Sequence, residues 1–381
     1  MKKKAVAVML SIALSAAMLV GCGKDGNAEV VGDTTTVEDS GQKEDVTEVE
    51  NQEVSDAAQQ KEGEANNEEP QGAPEEAADD YVAADIKIGS LKGPTSMGLV
   101  YLMDQADKGE AANNYEFTMA ATADELLPSM ISGDLDIVLV PANVASVLYN
   151  KTEGAVSVID INTLGVLYMV SGDDTIQSME DLKGRTVYLT GKGTTPDFVL
   201  QYLLKENGLT ADVTLEYKSE ATEVAAVLTE NTEVIGVLPQ PYVTAACAQN
   251  ENLSVVLDLT QEWAAVQGEG GSSLVTGVTV VRNAFLEENK AAVDKFLEEH
   301  AASAAFANEH VEEAAELVAA AGIIEKAPVA VKAMPKCNIT YIDGSDMQTA
   351  LSGYLTVLFE QDASSVGGSL PGDDFYYGSV Q

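Results

Sequence analysis

From Ile86 onward, short apolar runs alternate with stretches in which apolar residues recur every three to four positions, the periods of strands and of helices. Residues 86–91 read as a strand and 97–106 as a helix; strands at 115–121 and 136–140 flank a helix at 124–131. A helix at 144–149 precedes strands at 156–161 and 166–170. A second series follows the turn Asp181-Leu182-Lys183-Gly184. Its strands open near Thr186, Val213, Val234 and Ser254, with helices near Asp197, Thr222 and Tyr242 between them. The strand 274–281 then leads into a long Ala- and Glu-rich helical tail. The pattern predicts two α/β units in succession.

In open parallel sheets, ligands sit beyond the carboxyl ends of strands, where loops enter helices. Those loops are rich in small polar residues here: Gly93-Pro94-Thr95-Ser96, Ala121-Thr122, Pro141-Ala142-Asn143, Gly191 to Thr195, and Pro239-Gln240-Pro241. Turn formation alone explains part of this composition. Gly191-Lys192-Gly193-Thr194-Thr195 resembles a nucleotide loop but fails as one, because Lys192 is followed by Gly193 and not by Ser or Thr. What remains is a helix start with Pro196 in its first turn, where Thr194 and Thr195 are either caps or pocket walls. Such a start carries free amides and a partial positive charge that suit a polar oxygen or an anion.

The beginning of the chain reads differently. Lys2 to Lys4 precede the apolar run 5–20, the layout of a secretory signal. It is too short for a good membrane span. Leu19-Val20-Gly21-Cys22 resembles the lipobox of bacterial lipoproteins, in which the cysteine takes a diacylglycerol and becomes the new N-terminus. Residues 1–22 are therefore expected to be a lipoprotein signal with Cys22 lipidated. Residues 24–85 hold three Lys against twenty Asp and Glu, a net charge of −17, with almost no large apolar side chains. Such a segment cannot bury enough surface to order itself, so 23–85 is expected to be an acidic disordered tether. The remainder carries 15 basic and 42 acidic residues. Nucleic acid is an improbable partner for that surface, and an anionic membrane would repel it, leaving lipid as the anchor. Cys247 and Cys337 are expected to be buried free thiols, although sequence does not decide whether they pair.

Read in order, "IKIGSLKGPTSMGLVYLM", "ELLPSMISGDLDIVLVPANVA", "SMEDLKGRTVYLTGKGTTPDFVLQYLLKENGL", "EVAAVLTENTEVIGVLPQPYVT" and "VVRNAFLEENKAAVDKFLEEH" resemble the solute-binding proteins of ABC importers. The resemblance is strongest to the branch serving nitrate, sulfonates, taurine and thiamine-pyrimidine precursors. It implies a two-lobed α/β fold of the type II periplasmic-binding-protein kind, with lobe one interrupted by lobe two and a helical C-terminal tail. Lobe one would be 86–172 plus 274–381 and lobe two 173–273, with hinges near Val170 and Leu274. The implied partners are a small-molecule ligand in the interlobe cleft, ABC permease subunits that read the closed form, and the membrane through the Cys22 lipid. A monomer outside the cytoplasm, lipid-anchored to the bacterial cell membrane and without cofactor, is expected. The candidate ligand residues are Gly93, Thr95, Ser96, Met97, Thr122, Asn143, Asn162, Thr163 and Leu164 of lobe one, and Lys192, Thr194, Thr195 and Gln240 of lobe two.

The chain departs from that pattern in its basic residues. Arg185 and Arg282 are its only arginines and neither lies in a cleft loop, so a guanidinium clamp on an α-carboxylate is not expected. An anion would have to be held by amides, hydroxyls, Lys92 or Lys192. Trp263 either faces the cleft or packs within lobe two. Same-fold relatives include pyrimidine-precursor synthases and small-acid dehydratases, so fold alone does not exclude catalysis. The only histidines, His300 and His310, fall on the late helices, far along the chain from the cleft loops, and no Cys/His cluster has metal spacing. A non-catalytic binding protein is the expectation, with a ligand-sensing lipoprotein or a same-fold enzyme as alternatives.

Overall fold

The computed structural model describes residues 81–378. The signal, Cys22 and nearly all of the tether lie outside the described residues. Folded structure begins earlier than expected: the Tyr81 hydroxyl and the Ala84 amide (3.1 Å) both donate to Asn113 Oδ1, and Asp85 opens the first strand. Residues 81–85 thus belong to the folded body and not to the tether.

Strands β1 (Asp85–Leu91), β2 (Asn114–Ala120), β3 (Ile137–Pro141) and β4 (Val156–Leu164) form the first sheet together with β10 (Val275–Arg282) and β11 (Ile339–Ile342). The second sheet holds β5 (Leu167–Ser171), β6 (Thr186–Thr190), β7 (Thr214–Lys218), β8 (Ile235–Pro239) and β9 (Ser254–Asp258). The spatial orders are β11-β4-β10-β3-β1-β2 and β7-β6-β8-β5-β9. Each sheet has a parallel part, β2-β1-β3 or β7-β6-β8, extended by antiparallel strands. The central strands are apolar throughout because helices cover both of their faces; Ile137 to Val140 are completely buried. This is the expected two-lobed α/β architecture of the type II periplasmic-binding-protein fold, and β10 carries the return of the chain to the first sheet.

Two features differ from the sequence reading. The strand read at 166–170 as the close of lobe one is β5, which pairs with β8 and β9 in the second sheet. The crossing therefore falls at Gly165-Val166, between β4 and β5. The point is tightly packed: a Cβ at Gly165 would lie 2.2 Å from Thr260 Oγ1 and 2.8 Å from Leu274 Cδ2, so a side chain does not fit here without displacing them. The tail is helical as expected, over Lys290–Glu309, Val311–Ala320 and Gly344–Gln361 among others, but it also contributes β11, which pairs with β4 at the sheet edge.

The seam between the lobes is aromatic. Trp263 on the helix Leu259–Gln267 is fully buried, with its ring centroid 4.6 Å from that of Tyr202 and 5.6 Å from that of Tyr354. Tyr354 comes from Gly344–Gln361, so of the two alternatives packing is the one seen: Trp263 is buried between Tyr202 and Tyr354 and presents no face to a cleft. Cys337 is buried as expected, whereas Cys247 is only half-buried; both are free thiols.

Candidate functional site

The carboxyl ends of β3 and β6 bring two of the predicted loops into contact across the lobes. Asn143 opens the helix Ala142–Lys151 after β3, and Thr195 opens Thr195–Glu206 after β6. Thr195 Oγ1 lies 3.5 Å from Asn143 Oδ1, at the outer limit of a hydrogen bond, while Asn143 Nδ2 donates to the Ser365 carbonyl at 3.4 Å. One predicted residue from each lobe is therefore in contact with the other. Beside them Tyr354, fully buried, turns its hydroxyl toward Thr195 without completing a hydrogen bond, and the buried Ser365 hydroxyl also has no partner. Burial pushes the Tyr354 phenol well above its ordinary pKa, so it remains a neutral O–H group.

A second group of predicted residues meets at the ends of β4 and β10. A Cβ at Gly277 would lie 2.5 Å from Asn162 Oδ1, 2.6 Å from Thr95 Cγ2 and 3.3 Å from Thr163 Cβ. Thr95, Asn162 and Thr163 are all buried, so the Gly277 α-carbon serves as the floor on which they converge. Behind this floor runs a buried polar chain: the Asp160 carboxylate accepts from Thr279 Oγ1 at 2.8 Å and lies 3.2 Å from His300 Nδ1. His300 is far along the chain from the cleft loops, yet the fold seats it under the β1 loop, with Nε2 3.8 Å from the Cβ position of Gly98. His300 and Asp160 are completely buried.

The other predicted residues divide. Gln240 follows β8, is 2 % exposed, accepts from Thr244 Oγ1 at 2.8 Å and leaves Nε2 without a partner. Gly93 holds φ 145°, a backbone region suited to glycine, and starts the turn Pro94–Met97. Ser96 is buried and donates to the Leu91 carbonyl at 2.5 Å, Met97 is part of a hydrophobic core, and Leu164 donates its amide to Asn338 at 3.0 Å. Thr122 is exposed and engages Glu125 at the start of Ala123–Ser132. Thr194 is exposed and donates to the Gly191 carbonyl; Lys192 is exposed with Nζ 5.5 Å from the Tyr217 ring centroid. A groove of about 640 Å³ lined by Val243, Cys247, Val331 and Lys336, among others, contains none of the predicted residues.

The helix start at Thr194 is filled from within. Asp197, 2 % exposed, accepts from the Gly193 amide at 2.7 Å, from Tyr217 Oη at 2.6 Å and from Gln201 Nε2 at 2.6 Å. A carboxylate of the protein already meets one amide that an incoming anion could have used. Both arginines are engaged outside the cleft, Arg185 with Asp173 at 2.5 Å and Arg282 with Asp136 at 2.8 Å. The Thr175 hydroxyl and Arg185 hold the Asp173 carboxyl down at about 2. Among the described residues no group of three or more His, Cys, Asp or Glu is placed to hold a metal ion.

A sequence profile of the family described as menaquinone biosynthesis matches residues 86–334. The chain belongs to that menaquinone biosynthesis family. Comparison with curated proteins gives no match. Among solved structures, an ABC transporter protein from Parabacteroides distasonis is similar at 22 % identity, covering 76 % of this chain and 98 % of its own, with a TM-score of 0.64. The periplasmic aliphatic sulphonate binding protein SsuA from Escherichia coli follows at 17 % identity, 77 % and 96 % coverage and a TM-score of 0.61. The ligand binding component of an ABC-type import system from Staphylococcus aureus, with zinc bound, is 14 % identical over 77 % and 96 % with a TM-score of 0.57. These structures share the fold of the described body. The family thus combines a biosynthetic description with the architecture of importer binding proteins.

Proposed function

We propose that the chain captures a small polar or weakly anionic organic molecule between its lobes, outside the cytoplasm, and delivers it to an ABC permease. The observation that carries this reading is the Asn143–Thr195 contact, which brings predicted residues of both lobes together beside the unpartnered hydroxyls of Tyr354 and Ser365. Unpaired buried polar groups cost roughly 1–3 kcal/mol each, and a bound molecule would relieve them. The fold shared with the aliphatic sulphonate binding protein supports a ligand of sulfonate size, and the sequence resemblance extends the range to taurine- or thiamine-pyrimidine-precursor-like molecules. Retention at the membrane would fall to a lipid on Cys22. Cys22→Ser is then expected to move the protein from the membrane fraction to the soluble fraction; unchanged fractionation of a variant whose parent carries no acyl group by mass spectrometry would exclude that anchor.

Thr195→Val keeps the side-chain shape and removes the hydroxyl. The affinity for a molecule that co-purifies with the protein should fall by about 0.5–1.5 kcal/mol, measured by calorimetry, and Asn143→Ala should lower it from the opposite lobe. Normal binding by both variants, with only folding stability reduced, would make Thr195 a structural residue of the first helical turn and nothing more.

The family description favours a second reading, an enzyme that uses the same cleft. The residues lend it less support. Of the two histidines, His300, although seated beneath the β1 loop, is completely buried against Phe296 and Asp160 and has no solvent-exposed surface, and His310 lies on the surface beside Glu313.

A further inference from the structure

The groove of about 640 Å³ lies at the boundary between two hydrophobic cores, and none of the residues assigned to capture lines it. One wall is the helix Tyr242–Gln249 with residues 253–255, anchored in the core of the second sheet through Val243, Ala246 and Leu253. The other wall is formed by residues 331–336, where Ala333 and Met334 pack with Met97 and Ala304 in a different core. Tyr168 on β5 donates its hydroxyl to the Lys336 carbonyl at 2.8 Å and so fixes the second wall against the first. The space falls within the usual range for small-molecule sites, roughly 300–1,000 Å³.

Its charge runs against that of the whole body. From Ile86 onward acidic residues outnumber basic ones by 42 to 15, yet the groove is lined by Lys332 and Lys336 and by no Asp or Glu. Lys108, Lys183, Lys290 and Lys295 each sit beside a carboxylate, whereas Lys332 and Lys336 are exposed and have no carboxylate partner among the described residues. Facing them is the Cys247 thiol. Burial raises its pKa and the nearby Lys336 charge only partly offsets this, so it stays a neutral S–H at neutral pH. The groove thus brings two cations together without an anion of the protein to balance them. Val243, Leu253 and Val331 add an apolar surface, and Val255 is left exposed at its edge.

We propose that this groove is a second binding site, separate from the capture site, for a small amphipathic anion. A carboxylate or sulfonate head meets Lys332 and Lys336, and a short apolar body lies along Val243 and Val255. An occupant touches both walls and ties the tail to the second sheet.

The test follows alkylation of Cys247 by N-ethylmaleimide in the full chain, read by peptide mass mapping, with hexanoate and hexanol as probes of matched length. Hexanoate is expected to slow the reaction in a concentration-dependent way, and hexanol, which lacks the charge, to slow it much less. In Lys332→Gln/Lys336→Gln the half-protecting concentration of hexanoate should rise at least about threefold. Protection is the ratio of rates with and without probe in each variant, because removing Lys336 also alters the thiol's own reactivity. Cys337, completely buried, stays unmodified while the chain is folded and reports unfolding in every arm. Thr195→Val should leave protection unchanged. Protection lost in Thr195→Val but kept in the lysine variant would put the anion in the capture site and overturn the proposal. Equal protection by hexanol, protection that survives the lysine exchange, or none by hexanoate would each overturn it too, and none of these bears against the capture reading.

Discussion

Trp263→Ala is expected to lower the unfolding free energy by roughly 3–5 kcal/mol, the range for deleting a large aromatic side chain from a packed interior. The ring is completely buried, lies against Tyr202 and Tyr354, and donates from Nε1 to the Ser272 carbonyl at 2.9 Å. Truncation opens a cavity and removes that donor as well. Because the ring touches an aromatic neighbour from each lobe, the loss should also weaken interlobe closure. Trp263→Phe, which keeps part of the ring, should be milder. Urea denaturation monitored by circular dichroism measures both variants, and a loss below about 1 kcal/mol for the alanine would mean that the seam is not packed as described.

Gly277→Ala tests the floor of the cleft. The backbone there is not in the positive-φ region, so the cost comes from space alone. The added methyl would lie 2.5 Å from Asn162 Oδ1 and 2.6 Å from Thr95 Cγ2, and both neighbours are buried on β4 or the β1 loop. Overpacking of this kind costs about 1–3 kcal/mol. The displaced Asn162 should also release the hydrogen bond that orients Thr163, so ligand affinity should fall along with stability. A variant with an unchanged urea midpoint and unchanged calorimetric affinity would show that these residues do not meet at Gly277.

Most strands and helices up to β10 were legible because each carries its own period, although the helix Leu259–Gln267 was not read, and β1, β3, β6 and β8 start within one or two residues of the positions read from the sequence. Long-range pairing was not. Residues 166–170 look like any buried strand, and only the partners β8 and β9 assign them to the second sheet. Ile339–Ile342 is a four-residue run inside a helical tail, too short for periodicity to mark. The loop residues Asn143, Thr195 and Gln240 were singled out because strand ends are where cleft residues belong, and the fold brings Asn143 and Thr195 within 3.5 Å of each other. Tyr354 was missed because nothing local distinguishes it from other apolar positions on Gly344–Gln361. Gly277 did leave a sign, since an isolated glycine in the run VTGVTVV marks close backbone approach. The position of His300 was not legible because distance along the chain says nothing of distance in the fold: the helix Lys290–Glu309 brings it back beneath β1 and β4.

Capture without conversion is the central claim, and the menaquinone biosynthesis family description makes it worth testing directly. Native mass spectrometry of the full chain, purified without refolding, would give the mass of the non-covalently held molecule; that molecule, returned in excess to the protein, can then be followed by mass over hours. The account predicts one bound molecule per chain whose mass stays unchanged in the bound and free pools. Steady conversion of that molecule into a product of different mass, dependent on the protein, would contradict it.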